Sequence, residues 1–327
     1  MTLTIPSLRS LFAAGTLAVA ALAGHPAAAQ DYPSHPVRLV VPLTAGSGAD
    51  IVARVLAKQL QEIWGQPVLI ENRPGAGGQI GTREVANAPA DGHTLLVQSA
   101  SHAANPAIYK SLPYDPTRDL IDVALLATTP YVMATAAAGP YKTVKDVVDA
   151  AKAKPQSVAF ASAGMGTSTH LAAELFAMNA DVKLLHVPFK GSPDAITDVA
   201  GGRSAFYMAP LPTVGGMLGG KMQAVAVTSA QRVPSLPSVP TMADAGYPGV
   251  QVELWVGMWA PAGTPAPVVA KLSADVTKAL QSAAVQEQYA KSGNQVRIMS
   301  PQEFAKFVRK DIETNKLLVR TAGIQPQ

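Results

Sequence analysis

From residue 37 onward the chain alternates short β-branched runs with amphipathic stretches of helical period, and the joints between them are rich in glycine, serine and threonine. Val37 to Val41 reads as a strand. Asp50 to Trp64 then sets Ile51, Val52, Val55, Leu56 and Leu60 on one helical face, and Val68 to Ile70 reads as a strand again. The same order recurs through Thr94 to Gln98, through Val158 to Ala161 with a helix at His170 to Asn179, and through Leu184 to Val187 and Ala224 to Thr228. A chain built this way buries its apolar faces most simply as parallel sheets covered by helices, so the expected class is α/β.

Two stretches interrupt the alternation. Leu125 to Ala138 is apolar and rich in Thr and Ala, and Val250 to Ala260 is a strand-like run carrying Trp255 and Trp259 that ends in a proline cluster at Pro261 to Pro267. Read as two crossings, they divide the chain into a discontinuous first domain, residues 30–128 plus 252–327, and a second domain, residues 129–251. That connectivity suits hinge closure over a ligand.

The first residues bear on compartment. Arg9 is the only charge ahead of Asp31, an apolar run covers Leu11 to Ala23, and Ala27-Ala28-Ala29 offers the small residues of a cleavage position. Residues 1–29 therefore read as a secretory signal peptide, with Gly15, Gly24, His25 and Pro26 interrupting the run before it reaches the roughly 20 apolar residues of a membrane span. The chain has no cysteine, which excludes disulfides and thiolate metal sites. Its 26 Lys and Arg against 22 Asp and Glu are scattered, without the basic stripe of a nucleic-acid binder.

Function is sought in the loops. Four stand at the ends of expected strands: Thr44 to Asp50, Arg73 to Gly78, Ser99 to His102, and Gly164 to His170. Each can present main-chain N–H groups, hydroxyls and a helix start without a central carboxylate, and an anion is the natural occupant. Any one of these loops is explained as well by helix capping or a tight turn. Four of them in both proposed domains shift the balance towards binding. Asp50 is expected to order its own loop.

Sharper motifs fail. Gly75-Ala76-Gly77 begins a dinucleotide fingerprint, but Ile80 stands where its third glycine belongs; Gly215 to Lys221 matches a phosphate loop until Met222 replaces the metal-binding hydroxyl. Ser168 and His170 are only two residues apart, no G-x-S-x-G elbow occurs, and no pair among His35, His93, His102, His170 and His186 has metal-ligand spacing. Neither a catalytic residue, a metal nor a cofactor is expected.

Several segments in order resemble the extracytoplasmic solute-binding proteins of tripartite tricarboxylate transporters, the Bug proteins. They are the strand Val37 to Val41 with its loop to Asp50, ENRPGAGGQIG at 71–81, ADGHTL at 90–95, GTSTHLAAELF at 166–176, HVPFKG at 186–191 and AVAVT at 224–228. The resemblance spans essentially the whole chain beyond the leader. It implies a two-lobed periplasmic binding protein of type II, each lobe a sheet flanked by helices, that captures a small carboxylate between the lobes and delivers it to membrane permease subunits. The first loop departs from the family's PFPPGG-like pattern: Leu43-Thr44-Ala45-Gly46-Ser47 adds two hydroxyls.

The expected ligand-binding residues are Thr44, Gly46, Ser47, Gly77, Ser99, Ser101, Gly166, Thr167, Ser168, Thr169, His170, Tyr207 and Met208. A periplasmic monomer is expected, with a periplasmic hydrolase or isomerase on the same lobes as the alternative. N-terminal sequencing of the exported protein should begin close to Gln30; an intact Met1 would contradict the leader assignment.

Overall fold

The structure, a computed structural model, describes residues 32–321 and 323–326. The leader expected over residues 1–29 lies outside the described residues. Nine strands form one sheet: β1 (Val37–Val41), β2 (Val68–Asn72), β3 (Thr94–Ser99), β4 (Leu120–Ala136), β5 (Ala159–Ser162), β6 (Leu185–Pro188), β7 (Phe206–Pro210), β8 (Met222–Val227) and β9 (Glu253–Pro261). Their order is β2-β1-β3-β9-β4-β7-β5-β6, with β8 also on β4.

The helices are α1 (Gly48–Trp64), α2 (Gln79–Ala86), α3 (Ser101–Ile108), α4 (Val144–Ala153), α5 (Ser168–Ala180), α6 (Ser192–Ala200), α7 (Leu211–Val214), α8 (Ala266–Gln281), α9 (Ala283–Ser292) and α10 (Pro301–Thr321). The face read from the sequence of α1 is the one that buries, through Val52, Leu56 and Leu60. That helix stops at Gly65, whose left-handed φ of 62° lets its N–H return to the Gln61 carbonyl.

Parallel pairing holds at both ends of the sheet, β1 with β2 and β3, and β5 with β6 and β7. The middle differs from the all-parallel expectation. β9 runs antiparallel to β3 and to β4, and β4 runs antiparallel to β7 and β8. Apolar patterning reports burial but not strand direction, which depends on whether the connection recrosses the sheet.

β4 is the unusual element. Over Leu120 to Pro130 it pairs with β9, and from Tyr131 to Thr135 it pairs with β7. One strand thus belongs to both halves. Each half has its own apolar layer, Leu39, Val52, Leu56, Leu95 and Val256 on one side and Val132, Ala161, Val199 and Tyr207 on the other. A third layer spans both, from Val40, Leu96 and Trp259 to Phe160, Phe176 and Phe206.

The C-terminal helix α10 closes this shared layer. Its Phe304 and Asp311 meet the two tryptophans of β9: the Phe304 ring centroid lies 5.9 Å from that of Trp255 and 5.3 Å from that of Trp259. The indole of Trp255 donates to Asp311 Oδ2 at 3.0 Å and that of Trp259 to Asp122 Oδ1 at 2.8 Å. Burial raises both carboxyl pKa values above the usual range, only partly offset by these indole bonds.

Between the two tryptophans, on the same face of β9, stands Gly257, and a Cβ there would overlap the Phe304 ring. Gly257→Ala should lower stability by about 1 to 3 kcal/mol through overpacking, measured as a reduced urea midpoint at unchanged slope. An unchanged midpoint would show that Phe304 yields freely.

Candidate functional site

Four helix starts converge at the seam between the halves. The loops after β1, β3, β5 and β6 run directly into α1, α3, α5 and α6. Together they enclose a small inner pocket of about 20 Å³, close to the space of a single water molecule. Eight of its fifteen lining residues carry hydroxyls: Thr44, Ser47, Ser99, Ser101, Thr167, Ser168, Thr169 and Ser192; none carries a charge.

In the first loop, Ser47 caps α1 by accepting from the Asp50 N–H at 3.4 Å. The buried Asp50 carboxylate accepts from the Gly46 N–H at 2.8 Å, Arg54 at 2.9 Å and Asn72 at 3.0 Å. Burial alone would raise its pKa; the Arg54 guanidinium and the two amide donors outweigh this and hold it below the usual carboxylate range. Asp50 therefore orders its own loop and lends no charge to the pocket. Gly46 is exposed and contributes its N–H to Asp50.

The loop from Gly164 to His170 is similarly tied to itself. Thr167 Oγ1 accepts from the His170 N–H as the α5 cap, donates to the Gly164 carbonyl at 2.7 Å and lies 2.9 Å from Thr169 Oγ1. Thr169 Oγ1 accepts from the Ala163 N–H at 3.0 Å. Ser168 behaves differently. Its N–H crosses the seam to donate to Ser101 Oγ at 3.0 Å, and Ser101 Oγ lies 3.0 Å from Ser99 Oγ.

Outside this pocket a larger chamber of about 610 Å³ shares Leu43, Thr44, Ala163 and Thr167 with it. The Arg73 to Gly78 loop lines this chamber and not the inner pocket, so Gly77 belongs to the outer space. Tyr109 spans the seam here, donating to the Met165 carbonyl at 3.1 Å. Gly77 and Gly166 flank its ring with φ of 63° and 73°, where a side chain would be both strained and in collision with Tyr109.

Three expected residues sit behind the pocket wall. Tyr207 is fully buried, and its hydroxyl lies 2.9 Å from that of Ser192, which does line the pocket. Met208, its neighbour on β7, faces the opposite side and belongs to the shared apolar core. His170 is buried against His186, the ring centroids 4.0 Å apart, with Nε2 3.5 Å from Glu174.

His186 Nε2 lies 2.6 Å from Ser162 Oγ. Burial and the neighbouring His170 push its pKa down to about 3. Elsewhere the fold brings His35, Asp91 and His93 within 4.8 Å, a grouping invisible in sequence spacing. The two imidazoles are stacked at 3.6 Å, so their in-plane lone pairs run side by side, and the Ser34 N–H already donates to His93 Nε2 at 3.3 Å.

The residues missed by sequence reading include Tyr109 and those of the β6–α6 loop. Gly191 and Ser192 line the inner pocket, and a Cβ at Gly191 would overlap the Thr44 hydroxyl reaching across the seam. The signal was present: glycine and serine followed by Pro193 mark a helix start.

The family model described as "Tripartite tricarboxylate transporter family receptor" matches residues 52–324. The chain belongs to this receptor family. Among relatives, it is 36% identical over 301 residues to the protein BugT of Bordetella pertussis, covering 91% of this chain and 92% of BugT. Among solved structures, the R. palustris protein Rpa4515 with adipate superposes with a TM-score of 0.87 at 33% identity, over 90% of this chain and 100% of that one. The periplasmic binding protein BugD gives 0.85 at 34% identity, over 90% and 100%. The two-lobed fold of the receptor family is therefore the fold of this chain.

The hydroxyls of this receptor differ in what they are free to do. Thr167→Ala should lose about 1 kcal/mol of stability, because its hydroxyl is committed to the cap. Ser168→Ala keeps the main-chain N–H that bonds Ser101 Oγ and should lose less stability than Thr167→Ala. Paired urea unfolding of the two variants checks this; equal losses would remove the distinction.

Proposed function

We propose that this receptor is a periplasmic solute-binding protein that closes over a small organic carboxylate and hands it to the permease subunits of a tripartite tricarboxylate-type transporter. The observation carrying this reading is the convergence of four helix N-termini on a hydroxyl-rich pocket that has no charged side chain. The partial positive ends of these helices favour negative charge, and the hydroxyls around them can turn their O–H groups towards a carboxylate. The adipate-bound relative and the periplasmic BugD support the ligand class and the compartment.

In this reading Ser168, Ser101, Ser99, Ser47, Thr44 and Ser192 meet the headgroup, Thr167 and Thr169 shape the loop that presents it, and Gly77 and Tyr109 border the outer chamber. Tyr207 acts through Ser192. The lobes meet near residues 129 and 251, a division supported by the exchange of partners along β4 between Pro130 and Tyr131. Because the inner pocket measures only about 20 Å³, a carboxylate enters when the lobes part. The protein works as a monomer.

Binding without turnover is favoured by the state of the Ser162–His186 pair. Ser162 is fully buried, and an imidazole whose pKa lies near 3 is too weak a base to activate its hydroxyl at neutral pH.

A thermal-shift screen against organic acids tests the proposal. A cognate carboxylate at about 100 times its Kd should add about 2.7 kcal/mol of stability, with the ligand recovered unchanged and a smaller radius of gyration on saturation. Stabilisation by no carboxylate would refute binding, and conversion of the bound acid would favour an enzyme.

A further inference from the structure

Two of the hydrogen bonds that cross the seam differ in what a ligand does to them. The Ser168 N–H bond to Ser101 Oγ lies in the inner pocket, where an anion competes for the same donor. The bond from the Tyr109 hydroxyl to the Met165 carbonyl, at 3.1 Å, lies at the outer chamber, and Tyr109 is no part of the inner lining. A headgroup in the inner pocket leaves that second bond in place.

The Tyr109 ring is aimed at this contact by its own backbone. Helix α3 ends at Ile108, and Tyr109 turns to the extended values of φ −110° and ψ 133° while its N–H still closes on the Asn105 carbonyl. The helix behind it is anchored by Ala104, Ala107 and Ile108, which pack with Leu171 and Val319. Asn105 also donates through Nδ2 to the Gly77 carbonyl at 3.3 Å, so the turn that launches the ring also holds one wall of its slot.

The other wall comes from the opposite lobe. Gly166 follows Met165, and a Cβ on it would stand 3.0 Å from both the Tyr109 ring edge and the Ile108 side chain, in a left-handed backbone that disfavours side chains. The slot exists only because Gly77 and Gly166 are both bare. Burial pushes the Tyr109 phenol pKa above its usual value, so at neutral pH the hydroxyl keeps its proton and remains a donor.

We propose that Tyr109 is a positioning residue for ligand capture: it bolts one lobe into the glycine slot of the other and raises the closed population before any ligand arrives. This rests on the reading of the seam as a closing cleft. The bond involves no ligand atom, so its contribution to closure is the same whatever carboxylate is bound.

The absence of cysteine allows a direct test. Ile80→Cys and Lys190→Cys place one spin label on each rim of the chamber: Ile80 is 58% exposed and lies against Gly75, and Lys190 is exposed on the other lobe. Double electron–electron resonance on the ligand-free mature protein should show a short and a long distance. Tyr109→Phe keeps the ring and removes only the bond, and it should lower the ratio of short to long about two- to tenfold. Gly166→Ala fills the slot with Tyr109 intact and should remove the short distance.

Urea midpoints of the same proteins separate this from a merely structural tyrosine, which would lower the midpoint in Tyr109→Phe and leave the distances unmoved. That result would overturn the assignment. So would a parent protein without the short distance, or a short distance that persists undiminished in Gly166→Ala. None of these measurements needs a ligand, so their failure leaves the carboxylate site standing, to be judged by the thermal-shift screen.

Discussion

The antiparallel pairing of β4 with β9, which runs from Leu120 opposite Pro261 to Pro130 opposite Glu253 with register shifts at Asp122/Ala124 and Leu125/Ala127, is the constraint on which the rest of the molecule depends. Because β4 continues past Pro130 to pair with β7 and β8, the halves are joined by strands and not by flexible linkers. Backbone hydrogen bonds spaced along a strand resist shear and stretching far better than they resist twist. A join of this kind confines relative motion to bending and twisting about itself. The loops that must meet across the seam, after β1 and β3 on one side and after β5 and β6 on the other, are held at fixed offsets from it.

That geometry explains why the pocket can manage without a cation. A buried ammonium or guanidinium would need compensation whenever the cleft stood closed on nothing, at a desolvation penalty of several kcal/mol. Helix starts carry only partial charge, and their N–H groups can be satisfied by neighbouring hydroxyls. The His170 N–H on Thr167 Oγ1 and the Ser168 N–H on Ser101 Oγ are such arrangements. Asp50 keeps to the same economy, its charge neutralised by Arg54 and two amide donors inside its own loop.

Local patterning made the class, the strand at Val37 to Val41 and the face of α1 legible, since these follow from the period of apolar residues. Strand direction was not legible, because nothing within β9 encodes that its neighbours run the other way. Within the site, three of the four loops read from sequence meet at the inner pocket; the fourth, Arg73 to Gly78, lines the outer chamber beside Tyr109, a residue that no short-range signal connects to it. Met208 and Tyr207 were read as a pair, but consecutive strand residues face opposite ways, which sends one to the core and leaves the other behind Ser192. The role of Gly191 has no local signature, because its contact with Thr44 depends on two loops almost 150 residues apart in the chain.

The Ser168 N–H that crosses to Ser101 Oγ has a further meaning. It is a donor at a helix start, on the side of the pocket where a carboxylate oxygen would be received, and in the closed molecule a hydroxyl from the opposite lobe already occupies it. Under the proposed reading that hydroxyl acts as a tethered competitor for the ligand. An anion received there would have to displace it, so its affinity would be the difference between two bonds and not the strength of one. When the anion leaves, Ser101 is at hand to take its place, and the donor is never stranded.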